Sequence, residues 1–472
     1  MTLEHSRQMP QVEPAGLGDL LAGIADLLGT TGLVTDPALL GRHRCDWSGK
    51  NPQMPIAVAR PRSTQELSSI LRMCHARSQP VVVQGGLTGL VGGATPRPGE
   101  LAISLERMSA IEQLDPQSAV MIVGAGATLQ AAQQAASAAG LNVALDLPSR
   151  GSCTIGGNIA TNAGGHRVLR YGTMRSQVLG IEAVLADGTV LSSLGCVLKD
   201  NAGYDLKQLF IGTEGTLGIV ARASLRLYPE PVERMTAMLA TASFARGIAT
   251  LAALQRRLGP ALTAFEAMWD DYFESVLDFF GHPRPFGRRH AFYAIVEIEL
   301  RDPATDRAGA EAALEALLSD QLIEDAILAS SQADAGRLWQ IREAAGEMHA
   351  RRAPSMAYDI SMPIGEMDDY IARVKSGYAS YWPEGLCCAF GHLGDGNLHV
   401  LATLRNAGDA EAVDAIVYGA LAPGRSISGE HGVGVGKRGW LGVSRSAAEI
   451  GVMRDLKRLL DPRGILNPGR VI

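Results

Sequence analysis

Between residues 84 and 220 the chain carries three segments so rich in glycine that neither a regular helix nor a long strand can run through them. The first, Gln84-Gly-Gly-Leu-Thr-Gly-Leu-Val-Gly-Gly93, follows the apolar run Val81-Val82-Val83. Its glycines allow successive backbone N–H groups to turn toward one anion, and a phosphate is the natural guest. The second runs Gly151-Ser-Cys-Thr-Ile-Gly-Gly-Asn-Ile-Ala-Thr-Asn-Ala-Gly-Gly165, where small side chains and amides suit a flat ring or phosphate lying against backbone. The third is Phe210-Ile-Gly-Thr-Glu-Gly-Thr-Leu-Gly-Ile-Val220. None is a Walker loop or a GxGxxG fingerprint, and Gly124-Ala-Gly126 lacks the third glycine. Each segment alone also fits a tight bend in a sheet. Three within one stretch point to a shaped binding surface.

Around these segments, short β-rich runs (Val81–Val83, Ala119–Val123, Val178–Leu185) alternate with one Ala-rich helix over 129–140, which predicts an α+β domain. Asp187-Gly188 predicts a tight hairpin turn. A short helix is expected over 17–30, and Tyr228-Pro-Glu-Pro231 reads as a boundary. Beyond it, an alternating strand, Phe292–Leu300, and helices over 305–320 and 331–352 predict a second α+β unit. An amphipathic helix over 447–460 is stopped by Asp461-Pro and Asn467-Pro-Gly. The expected division is an N-terminal helical segment 1–50, a first domain 51–231, a second 232–440 and a C-terminal segment 441–472 that returns to the first. A chain of 472 residues has the length for two or three such units.

Composition removes several function classes. A net charge of −6 without a long basic run argues against nucleic-acid binding. Six cysteines with no CxxC pair suggest neither a disulfide framework nor a cysteine zinc site and fit a reducing compartment. The opening residues lack a basic-then-apolar leader pattern and no run approaches a membrane span, so a cytoplasmic protein is expected.

Phe390-Gly-His392-Leu-Gly-Asp-Gly-Asn-Leu-His399 puts two histidines on either side of a turn, and in a hairpin they would face each other. Two imidazoles so placed suit one divalent metal, with Glu430 of Gly429-Glu-His-Gly432 as the candidate carboxylate. Structural histidines would fit the same pattern.

Together the three segments, with Leu198-Lys-Asp-Asn-Ala-Gly-Tyr-Asp-Leu-Lys-Gln-Leu-Phe-Ile-Gly-Thr-Glu-Gly-Thr-Leu-Gly218, resemble the flavoproteins related to vanillyl-alcohol oxidase and p-cresol methylhydroxylase. The likeness is nearest to their FAD-dependent D-2-hydroxy-acid dehydrogenase branch, which holds D-2-hydroxyglutarate dehydrogenase, D-lactate dehydrogenase and the glycolate oxidase FAD subunit. It covers about residues 40–472.

The resemblance implies a p-cresol methylhydroxylase-type FAD-binding domain, an α+β cap domain for substrate and metal, and a C-terminal helical segment returning to the FAD domain. It assigns FAD contacts to Gln84, Gly85, Gly86, Leu87, Thr88, Gly89 and Leu90 in the first segment. The second set is Pro148, Gly151, Ser152, Ile155, Gly156, Gly157, Asn158, Thr161, Asn162, Gly164 and Gly165. Glu214, Gly218, Ile219 and Asn467 complete it. Some relatives attach FAD through a histidine in the first loop; Leu87 stands near that place, so non-covalent FAD is expected. His392, His399 and Glu430 match the family's metal ligands, with zinc expected and manganese or iron compatible. His431 matches its proton acceptor and Arg342 its substrate-carboxylate arginine. The implied reaction oxidises a D-2-hydroxy acid to the 2-oxo acid, with hydride passing to flavin N5 and electrons to an electron-transfer flavoprotein or quinone-linked acceptor. A homodimer is the family expectation. An oxidase returning electrons to oxygen, or a non-catalytic flavin-binding subunit, are the other readings.

Three positions depart from the D-2-hydroxyglutarate pattern: Gly346 replaces a polar residue one helical turn after Arg342, Ala357 a lysine, and Leu401 an asparagine. Their loss points toward a D-lactate-like or apolar D-2-hydroxy acid.

Overall fold

The computed structural model describes residues 14–472, so the reading of the opening residues as free of a leader lies outside the described part. The leading helix, Pro14–Leu28, begins three residues earlier than its apolar spacing suggests. It buries Leu20 and Ile24 in one core with Leu67, Ile70, Val81, Ile103, Ile219 and Leu466. That core joins a four-stranded sheet, in the order Leu33–Val34, Val58–Ala59, Leu101–Ser104, Val81–Gln84, to a five-stranded antiparallel sheet. The second sheet runs Ile111–Asp115, Val120–Gly124, Ile219–Arg226, Val178–Val184, Val190–Ser193. The expected hairpin closes at Gly188, where φ is +83° and the Gly188 N–H donates to Leu185 O at 2.9 Å. Helix Leu129–Ser137, capped by Thr128, packs on the other face of this sheet with Ile155 and Ile159.

A seven-stranded antiparallel sheet follows, ordered Asp325–Leu328, Glu233–Thr241, Phe292–Leu300, Leu262–Trp269, Cys387–His392, Asn397–Thr403, Ser355–Ser361. Helices Phe244–Leu258, Pro303–Ser319, Met367–Tyr381 and Ala410–Gly419 cover one face. Asp270–Phe280, Gln332–Glu343 and Ala345–Arg351 cover part of the other.

The strand expected over Phe292–Leu300 is present with those bounds, and all nine of its residues are buried, because it is internal to a sheet covered on both faces. Its polar positions do not meet water. Glu297 accepts from Arg167 Nε at 2.7 Å and Glu299 from the Tyr171 hydroxyl at 2.6 Å, so they clamp the first half of the chain onto the second. Arg167 outweighs the cost of burial and holds the Glu297 carboxyl below its ordinary range. One expectation is corrected: the helix expected over 331–352 is two helices that part at Ala344, so Arg342 and Gly346 do not share one helix.

The C-terminal helix, Ala447–Leu460, opens with a capping box between Ser446 and Glu449. Lys457 Nζ donates to Thr216 O at 2.8 Å and to Leu466 O at 2.7 Å, pinning the end of the chain to the third glycine segment. Asn467 completes the tie: its N–H donates to Val81 O and its Oδ1 accepts from Val83 N.

Candidate functional site

A cavity of about 680 Å3 lies between the glycine segments and the seven-stranded sheet. Its glycine side is shaped by backbone approach. A Cβ on Gly86 would stand 1.9 Å from Ser152 O, and one on Gly165 2.1 Å from Asp146 O, so these glycines let the segments lie directly on one another. Leu87 is held at φ +57°, with its carbonyl accepting from Trp47 N at 2.9 Å. An αL leucine is uncommon and marks a loop fixed by its surroundings.

Most residues expected to hold FAD line this cavity, including Gly85–Leu90, Pro148, Ser152, Gly156–Asn158, Thr161, Gly164, Gly165, Glu214, Gly218, Ile219 and Asn467. Four do not. Gln84 is buried and donates from Nε2 to His43 O and Ala94 O, closing the base of the first loop. Ile155 belongs to the core, Gly151 sits exposed in a turn, and Asn162 accepts from Arg175 N as an αL helix cap. Glu214 lines the cavity, but its carboxylate accepts from Val433 N at 2.6 Å and Gly434 N at 3.0 Å. It therefore joins the glycine side to the loop that carries Glu430 and His431.

The opposite wall is one face of the sheet, and its register sets the chemistry. Directly opposed residues share a face, and alternate rows return to it. One row is Glu266, His392, Asn397, Ser361; the next on that face is Met268, Phe390, His399, Asp359; the third is Cys388, Leu401, Ala357. His392 and His399 are thus diagonal neighbours rather than directly opposed, with ring centroids 5.3 Å apart. Glu430 joins them, and the three offer ligand atoms that all lie within 4.8 Å of one another.

Glu266 accounts for how this cluster is held. It is 1% exposed, its Oε1 lies 2.7 Å from His392 Nδ1 and its Oε2 2.7 Å from an Arg342 guanidinium nitrogen. Burial alone would raise its carboxyl, but His392 and Arg342 hold it down at about 2. An ionised carboxylate only accepts, so a proton sits on His392 Nδ1, while Nε2 stands 3.3 Å from Glu430 Oε1 and 3.4 Å from an Arg342 guanidinium nitrogen. That Oε1 is buried without a hydrogen-bond partner, and burial pushes the Glu430 carboxyl up to about 7. Two imidazoles and an orphaned buried carboxylate oxygen fit a divalent cation.

Asp359 is the second unforeseen support. Fully buried, it accepts from the backbone N–H groups of Gly429, Glu430 and His431 at 3.1, 3.0 and 2.9 Å and from Lys437 Nζ at 3.2 Å. This fixes the Glu430–His431 turn and leaves His431 Nδ1 3.7 Å from Asp359 Oδ2. Burial lowers the His431 imidazole, which favours its neutral, proton-accepting form.

Arg342 is 4% exposed and lies 4.7 Å over the Phe390 ring; its Nε has no partner. His166 also lines the cavity, stacked 4.7 Å from Trp339 and 5.7 Å from His392, with burial pushing its pKa down to about 3. Sequence reasoning passed over Glu266, Asp359 and His166. A lone glutamate inside the apolar strand Leu262–Trp269 was the available signal for the first.

Residues 55–193 match the family described as FAD binding domain, and residues 230–471 the FAD linked oxidases, C-terminal domain. The chain is 40% identical over 451 residues to mitochondrial D-2-hydroxyglutarate dehydrogenase of Bos taurus, covering 93% of this chain and 81% of that one. To D-2-hydroxyglutarate dehydrogenase of Xanthomonas citri it is 39% identical over 447 residues, covering 93% and 94%. A putative mitochondrial D-lactate dehydrogenase of Schizosaccharomyces pombe is 35% identical, covering 93% and 86%. Among solved structures, p-cresol methylhydroxylase with substrate bound superposes with a TM-score of 0.77 at 17% identity, covering 98% of both chains. At that identity the likeness carries the fold alone. No helix among the described residues is long and apolar enough to cross a membrane.

Proposed function

Because this chain belongs to the FAD-linked oxidases and, within them, to the family of the D-2-hydroxyglutarate dehydrogenases, we propose that its cavity oxidises a D-2-hydroxy acid to the 2-oxo acid. The observation that carries this reading is the meeting, in one cavity, of the glycine segments with Arg342, His431 and the His392–His399–Glu430 cluster. The cavity volume suits a cofactor and a small acid together. Gly85–Leu90 and the 148–165 and 214–219 segments would hold FAD, and His392, His399 and Glu430 a divalent metal, zinc in this reading; bound there, the two would supply a hydride acceptor and polarisation of the substrate hydroxyl.

The remaining work falls to side chains. Arg342 binds the substrate carboxylate through a guanidinium that Glu266 and Phe390 keep in place. His431, with Nδ1 toward Asp359, takes the hydroxyl proton at Nε2 as the C2 hydrogen departs with its electron pair and the C–O bond becomes a carbonyl. Asp359 stabilises the imidazolium so formed. Electrons then leave to an electron-transfer flavoprotein or a quinone-linked acceptor.

Anaerobic mixing of the metal-loaded holoenzyme with D- and L-2-hydroxy acids tests the reading. Loss of oxidised-flavin absorbance with D-acids alone is the expected result; no loss with any of them overturns it.

A further inference from the structure

The catalytic face of the sheet changes character along its strands. Its first row is wholly polar (Glu266, His392, Asn397, Ser361), and its second is mixed. Its third row, Cys388, Leu401 and Ala357, has no charge. Ala357 and Leu401 are direct cross-strand partners, and both line the cavity. Gly346 lines it as well, and a Cβ there would meet nothing within 4 Å. Space and apolar surface therefore continue along the sheet past the metal-ligand cluster.

The charges point the same way. Among the described residues lining the cavity, Arg342 is the only arginine or lysine, and Glu266 already engages it. The lining carries four carboxylates, Asp46, Glu214, Glu343 and Glu430. One substrate carboxylate can meet Arg342. A second, at the far end of a dicarboxylic acid, would stand against the apolar Leu401 and Ala357 with no arginine or lysine of the lining left to meet it.

We infer that the third row and Gly346 form a side-chain subsite selecting D-2-hydroxy acids with one carboxylate and an apolar aliphatic or aromatic side chain over dicarboxylic ones. This rests on the hydroxy-acid reading above. The holoenzyme is compared with D-2-hydroxyisocaproate, D-phenyllactate and D-2-hydroxyglutarate by anaerobic flavin reduction. Binding of 2-oxoisocaproate and 2-oxoglutarate is followed separately by perturbation of the flavin spectrum.

The subsite predicts that the apolar acids are favoured at least about tenfold in both readouts. Ala357→Lys, which sets an ammonium in the third row, should move the ratio toward the dicarboxylates. Gly346→Lys, at a position open to added atoms, serves if that variant loses its flavin. Equal or better use of D-2-hydroxyglutarate by the wild type overturns the inference and leaves the hydroxy-acid reading standing. So does an unchanged ratio in a flavin-replete lysine variant. Failure of every D-acid to reduce the flavin overturns the reading itself, and the subsite with it.

Discussion

The two walls of the cavity are built on different principles. The glycine wall is shaped mainly by backbone: Gly86 and Gly165 remove side chains so that strands and turns touch. The sheet wall is a charge network on a rigid frame, in which Glu266 serves His392 and Arg342 together while Asp359 gathers three backbone amides and Lys437. Substitutions should therefore act on one wall through sterics and on the other through unpaired charge.

The largest expected effect lies on the glycine wall. Gly86→Val forces atoms into Ser152 O, and we expect a loss of more than about 3 kcal/mol with failure to retain flavin. Gly346→Val, in open space, should leave both stability and flavin content near wild type, as thermal unfolding and absorbance would show. Equal damage at the two sites would break the steric account.

On the sheet wall, Arg342→Ala removes the substrate carboxylate's partner and leaves Glu266 Oε2 without its cation. A rise in KM of about a hundredfold is expected, roughly 2.7 kcal/mol, together with lower thermal stability and an unaltered flavin spectrum. An unchanged dependence on substrate concentration would remove Arg342 from the site. Glu266→Gln acts through His392 and should weaken metal binding by about 10–100-fold while flavin stays bound, a split read by metal analysis beside absorbance.

The smallest effect concerns the clamp between the walls. Glu297 has its folded pKa depressed beside Arg167, so its contribution to stability is present above the ordinary glutamate value, near pH 4.3, and fades as pH falls through the folded value. Glu297→Gln should flatten the acid limb of the melting temperature by about 1 kcal/mol equivalent. A limb as steep as wild type would show that the clamp contributes nothing.

The same contrast explains what could be read from the sequence. The glycine wall is local, its segments being contiguous and tied to one strand each, so three motifs suffice to outline it. His392 and His399 are also seven residues apart on one hairpin and were legible as a pair. Glu266 and His392 lie 126 residues apart and meet only because two strands pair, which no local pattern reports. Phe292–Leu300 was legible as a strand, but its alternation does not report that Glu297 and Glu299 meet Arg167 and Tyr171 instead of water. Gln84 and Asn162 belong to the right segments yet serve the backbone, a distinction that depends on side-chain direction.

The central claim is that a hydroxy acid bound on the sheet wall reduces the flavin held by the glycine wall, and His392→Ala in a rapid anaerobic single turnover tests it most directly. The account predicts retained flavin, lost metal and a flavin-reduction rate lower by at least about a thousandfold. Reduction at the wild-type rate, with the flavin equally bound, would contradict it.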